Sequence, residues 1–368
     1  MVLTGVGTDM DARSQGDFRP QNMRGPAVGA PTSLTRSVFS IMTDPTSDGP
    51  VHVPVLADAV ARLLGGSRSS DSVNGLMVDV TLGAGGHSNL LLGRFPRLRL
   101  LGVDQDPEIL AHAGERLEPF QSRVRIEHAR MSELDQILSE LDEQPIALLM
   151  DLGASSLQLD RPERGFSFAW DGPLDMRMDP RRTRTAADIV NTWDEGDLAD
   201  LFFHEGGERG ARRVAKAIVD ARRRTPFRRT RGLSEVVALS LGKPIRSRSQ
   251  DGPRRGSIHP STRVFQALRR AVNEEAEELE LGLKAAANHL APDGRLLAIS
   301  FHSGEDGVVK RFLSDGARAG EWSIETRRPI EATPAEVREN PRSRSAKLRV
   351  AVRTRTGEPS QKDPLKGQ

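Results

Sequence analysis

Three short stretches carry residue types that can hold a small cofactor and act beside it. The first is Asp79-Val80-Thr81-Leu82-Gly83-Ala84-Gly85-Gly86-His87-Ser88, where an apolar run gives way to three glycines. Glycines there let the backbone come close to a ligand, and the N–H groups of a helix starting near Ser88 point at it. The second is Asp104, which closes the apolar run Leu98–Asp104 about twenty residues further on. A carboxylate in that place accepts hydrogen bonds from the two hydroxyls of a ribose. The third is Asp151, at the end of Ile146–Leu152 and two residues before Gly153. An acidic residue there sits beside both the cofactor and the substrate's acceptor atom.

The first two signals together imply a cofactor that contains adenosine. A dinucleotide enzyme would carry G-x-G-x-x-G at this turn, and here Ser88 stands where the third glycine belongs. An S-adenosylmethionine enzyme uses the same kind of turn and the same acid with no pyrophosphate to cradle, and Asp151 favours that reading. A nicotinamide oxidoreductase stays open on the residues alone. So does a Gly-rich turn with a helix-capping Asp in an α/β domain that binds nothing.

The chain has 368 residues, with no Cys and no Tyr. Without Cys there is no disulfide framework, no Cys-ligated zinc or iron–sulfur centre and no thiolate nucleophile. Methylation at carbon 5 of a pyrimidine, which needs a thiolate on carbon 6, is thereby excluded. Without Tyr there is no tyrosine acid or base, and none of the Asn/Asp-Pro-Pro-Tyr motifs of many amino-group methyltransferases. Aromatics make up 4%, too few for base-stacking surfaces of the single-strand-binding kind to dominate. No apolar run reaches the roughly 18 residues of a membrane span, and no signal-peptide core is evident, so a cytoplasmic protein without membrane association is expected.

The elements that must position these residues follow from periodicity. Residues 55–64 read as a short helix and 76–82 as a strand; 98–104 is a second strand and 107–117 a helix. Residues 123–127 form a short strand, 131–141 a helix and 146–152 a buried strand, its apolar run continuous as expected when both faces are covered. Alternation of this kind implies a parallel sheet in an α/β layer fold. From about Gln158 to Ile258 no convincing strand occurs. Residues 265–290 then read as one long helix, and strands return at 295–301 and 347–352. The expected organisation is a disordered tail over 1–48, a first α/β part over 49–157, a helical insertion over 158–258, a second α/β part over 259–355 and a disordered tail over 356–368.

The formal charge is only +2, yet ten Lys/Arg lie between Arg209 and Arg231 against a single acid, Asp220. Five more lie between Lys243 and Arg255, whereas Asn273–Glu280 holds five Glu. Such a basic insertion is either a solvated helix face or an electrostatic footprint for nucleic acid.

Seven blocks in order make the chain resemble the ribosomal RNA small subunit methyltransferase H family. They are His52-Val53-Pro54, the glycine turn Asp79–Ser88, Gly102–Pro107, Asp151–Asp160 with its continuation through Glu163–Phe168 and Leu174–Asp179, His259–Leu268, Ser300–Ser303 and Arg344–Arg349. The resemblance implies a class I S-adenosylmethionine-dependent methyltransferase, Rossmann-like with a mostly parallel sheet and an inserted helical domain. It implies methylation of the exocyclic N4 of a decoding-centre cytosine in 16S rRNA, with the small ribosomal subunit as partner and a homodimer allowed. By motif, Gly83, Gly85, Gly86 and His87 line the cofactor, Asp104 holds its ribose, Met131 flanks the adenine, and Asp151 and Gln158 complete the pocket. Asp151 or Ser155 is expected to grip the amino hydrogens of the acceptor. Arg164, Arg177, Arg212 and Arg213 are expected on RNA, and no metal is expected. The chain departs from the family at Met131, where an aromatic is usual, and at Gly304 and Gly307, where Leu and Arg are.

Overall fold

A computed structural model describes residues 54–243 and 259–355. The expected disordered tails and the basic residues of 244–258 lie outside the described residues. Eight strands form one sheet: β1 (Asn74–Asp79), β2 (Arg97–Asp104), β3 (Val124–His128), β4 (Ala147–Asp151), β5 (Arg295–Ser300), β6 (Trp322–Ile324), β7 (Ile330–Glu331) and β8 (Lys347–Arg353). Their order is β3-β2-β1-β4-β5-β8-β6, with β7 paired to β8 off this path. The pairs among β1 to β5 are parallel, and β8 runs antiparallel to β5, β6 and β7. The chain order reverses between β1 and β4, and a crevice opens at such a switch point, outside the carboxyl ends of the strands.

The sheet is covered on both faces, which is why its central strands are apolar throughout. One core packs α1 (Ala57–Gly65), α2 (Gly86–Arg94) and α3 (Pro107–Leu117) against Met77, Leu100, Leu149 and Leu297. The other packs α4 (Leu134–Ser139) and two later helices against Val78, Leu101, Leu148 and Leu296. Alternate residues of one strand thus enter opposite cores. Asp106 caps α3, its Oδ1 accepting from Glu108 N at 3.1 Å with Pro107 at the first helical position.

After β4 comes α5 (Ser156–Asp160), then a helical lobe of α6 (Ala186–Thr192), α7 (Glu195–His204), α8 (Ala211–Arg222) and α9 (Thr230–Ser240). Its separate apolar core runs from Phe166 to Val272 and takes in α10 (Thr262–Asn273). On α8 the apolar Val214, Ala215, Ile218 and Val219 face that core while Arg212, Arg213 and Lys216 face solvent, the pattern of an amphipathic surface helix. The chain returns to the sheet through α11 (Glu275–His289), α12 (Ser303–Arg318), which carries the second core with α11, and α13 (Pro334–Glu339).

The single long helix expected over 265–290 is two. Glu274 adopts φ 51° between α10 and α11. The break places the fully buried Asn273 where its Oδ1 accepts from Met178 N at 2.8 Å. Its Nδ2 donates to Met176 O at 2.8 Å and to Arg269 O at 2.9 Å. Three backbone groups, two of them in the 174–179 loop, depend on one side chain that helical periodicity could not single out. Asn273→Ala is therefore expected to lower stability by about 1–3 kcal/mol, the cost of leaving buried polar groups unpaired. A shift of the denaturation midpoint measures it; an unchanged midpoint would show that the loop is held by other contacts.

Candidate cofactor site and basic face

The carboxyl ends of β1, β2 and β4 bring the predicted cofactor residues together. Gly83 and Gly85 take φ 53° and 76°, the left-handed region that favours glycine, and the turn delivers the chain into α2. Gly86 opens α2. Gly83 N donates to Asp104 Oδ2 at 2.8 Å and Asp106 N donates to Asp104 Oδ1 at 3.0 Å. Burial pushes the Asp104 carboxyl up to about 6 against these two backbone donors. Beneath the turn, Asp79 accepts from Ser88 Oγ at 2.7 Å and from Thr81 N at 3.3 Å, and burial raises it to about 6 as well. Thr81 Oγ1 accepts from Asp151 N at 2.6 Å, which ties the end of β4 to the turn.

His87 lies in the first turn of α2, 6% exposed, with Nε2 3.5 Å from Asp151 Oδ2. Among the described residues, both ring nitrogens of His87, Asp151 Oδ1 and Gln105 Oε1 are buried without a hydrogen-bond partner. Buried polar groups are normally satisfied, so unmet atoms gathered at the ends of β1, β2 and β4 fit a polar ligand that completes them. Met131 follows β3 and packs against α11, where a Cβ at Gly282 would lie 3.1 Å from its Sδ.

Gln158 and Ser155 are brought to the same end of the sheet but with their polar atoms engaged. Ser155 caps α5, its Oγ accepting from Leu157 N at 3.2 Å. Gln158 Oε1 accepts from Ser155 N at 2.9 Å and its Nε2 donates to Asp106 Oδ2 at 2.8 Å. Gln158 therefore holds α5 against the end of β2.

The four expected RNA contacts divide into two pairs. Arg164 is a clamp: Nη2 reaches Asp106 Oδ2 at 2.8 Å and Arg177 O at 2.9 Å, and Nη1 reaches Glu108 Oε2 at 3.0 Å. Arg177 is forked onto Asp175, with Nε to Oδ1 and Nη2 to Oδ2 both at 2.8 Å, and its Nη1 donates to Arg182 O. Each of these two guanidinium groups, expected on RNA, is engaged by a carboxylate close in sequence or space. Arg212 and Arg213 are exposed on α8 and line a recess of about 1000 Å³. Arg209, Lys243, Arg263, His259 and Phe203 line it too, and the Phe203 side chain is 55% exposed. Sequence reading missed Phe203 and Asp106. The first looks like one more apolar residue of α7, and the second like an ordinary helix cap.

A sheet of order 3-2-1-4-5 extended by an antiparallel β8 and then β6, a glycine turn after β1, an acid at the end of β2 and an open acid at the end of β4 define a class I methyltransferase. Within that class the chain belongs to the MraW methylase family, which it matches over residues 50–354. A relative from Pseudarthrobacter chlorophenolicus, called ribosomal RNA small subunit methyltransferase H, is 43% identical over 329 residues, covering 84% of this chain and 97% of the relative. A protein of the same name from Synechococcus elongatus is 46% identical over 279 residues, covering 76% and 88%. Among solved structures, an rRNA methylase from Streptococcus thermophilus aligns over 81% of this chain and 94% of its own, at 10% identity and a TM-score of 0.36.

If Arg164 is a clamp, Arg164→Ala strips the buried Asp106 of its cation and costs about 3 kcal/mol. Arg212→Ala, on the exposed face, stays within about 0.5 kcal/mol. Parallel urea unfolding of the two variants checks both; equal, small losses would return Arg164 to the pool of available cations.

Proposed function

We propose that the protein transfers a methyl group from S-adenosylmethionine to the exocyclic N4 of a decoding-centre cytosine in 16S rRNA, on the small ribosomal subunit. The observation that carries this reading is the crevice itself. It has a glycine turn, an acid with two backbone donors and capacity to spare, and an acid at β4 with an unmet oxygen. Close relatives named for small-subunit rRNA methylation supply the substrate class. The cytosine and its N4 rest on the resemblance of the motif blocks. The expected compartment is the cytoplasm, where ribosomes assemble.

Gly83, Gly85 and Gly86 would let the backbone approach the cofactor, Asp104 would accept from its ribose hydroxyls, and Met131 would fill the apolar slot by the adenine. Bound, the cofactor supplies an electrophilic methyl on a sulfonium. The protein's task is then to align an amine whose lone pair is delocalised into the base. An oxygen gripping the amino hydrogens favours a pyramidal nitrogen, and alignment supplies much of the rest. Of the two acceptors expected from sequence, Asp151 is the better placed: its Oδ1 is unmet, whereas Ser155 Oγ already caps α5. Asp151→Asn should lower turnover with cofactor affinity nearly intact.

RNA would meet the recess lined by Arg209, Arg212, Arg213, Lys243 and Arg263, with Phe203 offering a ring to a base. Replacing Arg212 and Arg213 by Ala is expected to reduce the salt slope of RNA binding by about one to two; an unchanged slope removes them from the interface. Cofactor affinity should fall as the pH drops through about 6, because protonation of Asp104 removes the charge that ribose hydroxyls favour. Titration of S-adenosylhomocysteine binding from pH 7 to 5 measures it, and a flat profile would release Asp104 from that role. The decisive assay is transfer of labelled methyl to small subunits from a strain lacking the enzyme, followed by nucleoside analysis. Label in N4-methylcytidine is expected; label in another nucleoside keeps the methyltransferase and discards the target.

A further inference from the structure

The contact between His87 and Asp151 asks for more than cofactor binding. His87 Nε2 stands 3.5 Å from Asp151 Oδ2, too far for a formed hydrogen bond and near enough to make one with a small movement. The ring is almost fully buried and both of its nitrogens lack partners among the described residues. On Asp151 the other oxygen, Oδ1, is also buried and unmet, while the side chain as a whole is 28% exposed. The two groups therefore stand in series. Asp151 closes β4, and His87 lies beside it in the first turn of α2.

The surroundings hold both groups in place. Asp151 N donates to Thr81 Oγ1 at 2.6 Å, which fixes the end of β4 on the turn. Ser88, the residue after His87, donates its hydroxyl to Asp79 Oδ2, which anchors the first turn of α2 over the end of β1.

We propose that His87 and Asp151 work as one proton-accepting pair for the methyl-transfer reaction, with Asp151 touching the acceptor amine and His87 holding and backing it. This rests on the methyltransferase reading above and gives it a destination for the proton. The cofactor supplies a methyl cation equivalent: the amine lone pair forms the new N–C bond, and the electrons of the broken C–S bond remain on sulfur. One N–H proton must then leave the alkylated nitrogen. It passes to the Asp151 carboxylate, which His87 Nε2 steadies at Oδ2, so the proton does not have to cross to bulk water during the step. Because His87 acts through Asp151, it is a positioning residue, and its loss falls on turnover.

His87→Gln tests this, since the amide keeps a polar group near Nε2 but cannot take up a proton. Single-turnover methyl transfer at saturating S-adenosylmethionine is expected to slow by about ten- to a hundred-fold, within the range for lost acid–base assistance. Calorimetric affinity for S-adenosylhomocysteine, which also reports that the variant is folded, is expected to stay within about three-fold, the loss of one modest contact being the most allowed. Weakened affinity with an unchanged rate at saturation overturns the pair and leaves His87 a cofactor contact. Independently, the ring-nitrogen resonances of His87 in the S-adenosylhomocysteine complex should move when Asp151 becomes Asn; fixed resonances overturn the pair. That measurement needs no RNA. If the wild-type protein labels no small-subunit RNA, the substrate reading fails while the ring-nitrogen result still decides the pair.

Discussion

The Asp106 carboxylate is the joint on which the site depends. It is fully buried, and it serves three parts of the chain at once. Oδ1 caps α3, Oδ2 takes Gln158 Nε2 from α5, and the same oxygen takes Arg164 Nη2 from the segment that leads into the helical lobe. Its own N–H meanwhile donates to Asp104. A buried carboxylate is tolerable only when paired and hydrogen-bonded. Here the pairing requirement does positional work: neither the end of β2 nor α5 can move without leaving Asp106 short of a partner. The acid expected to hold the cofactor and the segment that follows β4 are thus locked to each other through Asp106.

The same logic repeats where the 174–182 loop crosses the edge of the sheet. Asp179 is fully buried and takes Arg181 at its own end of the loop, with Arg130 3.6 Å away from the sheet side. Arg182 enters between Glu274 and Glu278 at 2.5 and 2.7 Å, and Glu278 in turn accepts from Ser132 N beside Met131. Asn273 holds the loop's backbone from beneath. The loop therefore bonds to α10 and α11 on one side and to the residues after β3 on the other. This accounts for the acidic run of 273–280. Glu274 and the buried Glu278 are the anions that Arg182 requires and Glu275 takes Arg269, whereas Glu277 and Glu280 are exposed. It also accounts for the break between α10 and α11, since a continuous helix would carry Asn273 and Glu274 on a different course.

How far these features could be read from sequence depends on the range of the force involved. The alternation of strands and helices, the glycine turn, Asp104 and Asp151 are local patterns, and periodicity finds them: the helix expected over 107–117 is α3 to the residue. The basic face of α8 is legible for the same reason, since charge and apolar spacing lie on one helix. What sequence spacing could not supply were pairings between distant residues. Arg164 and Arg177 sit in a stretch rich in Asp and Glu, and only the fold shows which acids claim them. β6 and β7 are three and two residues long and form only against β8, so no period had room to register. Glu274 has no composition that marks a left-handed residue; a tertiary demand imposes it.

The distribution of partners among the acids separates scaffold from site. Asp106, Asp175 and Asp179 each meet a guanidinium within 3 Å, and nothing remains for a ligand to offer them. Among the described residues Asp104, by contrast, has two backbone N–H donors and no cation, and Asp151 has a distant imidazole and an unmet oxygen. A carboxylate has roughly four lone-pair sites, so Asp104 retains capacity for the two hydroxyls of a ribose and Asp151 for the hydrogens of an amine. Burial makes that spare capacity costly, which is why Asp104 is pushed up to about 6 in the absence of a partner. Polar atoms left unmet in this way are a poor way to stabilise a fold and a good way to pre-organise a site, because a ligand that satisfies them recovers a penalty already present in the folded chain. The sheet ends carry that penalty at three neighbouring positions, His87, Asp104 and Asp151, and the ionic joints around Asp106 and Asp179 provide the rigidity that keeps those groups from relaxing onto one another.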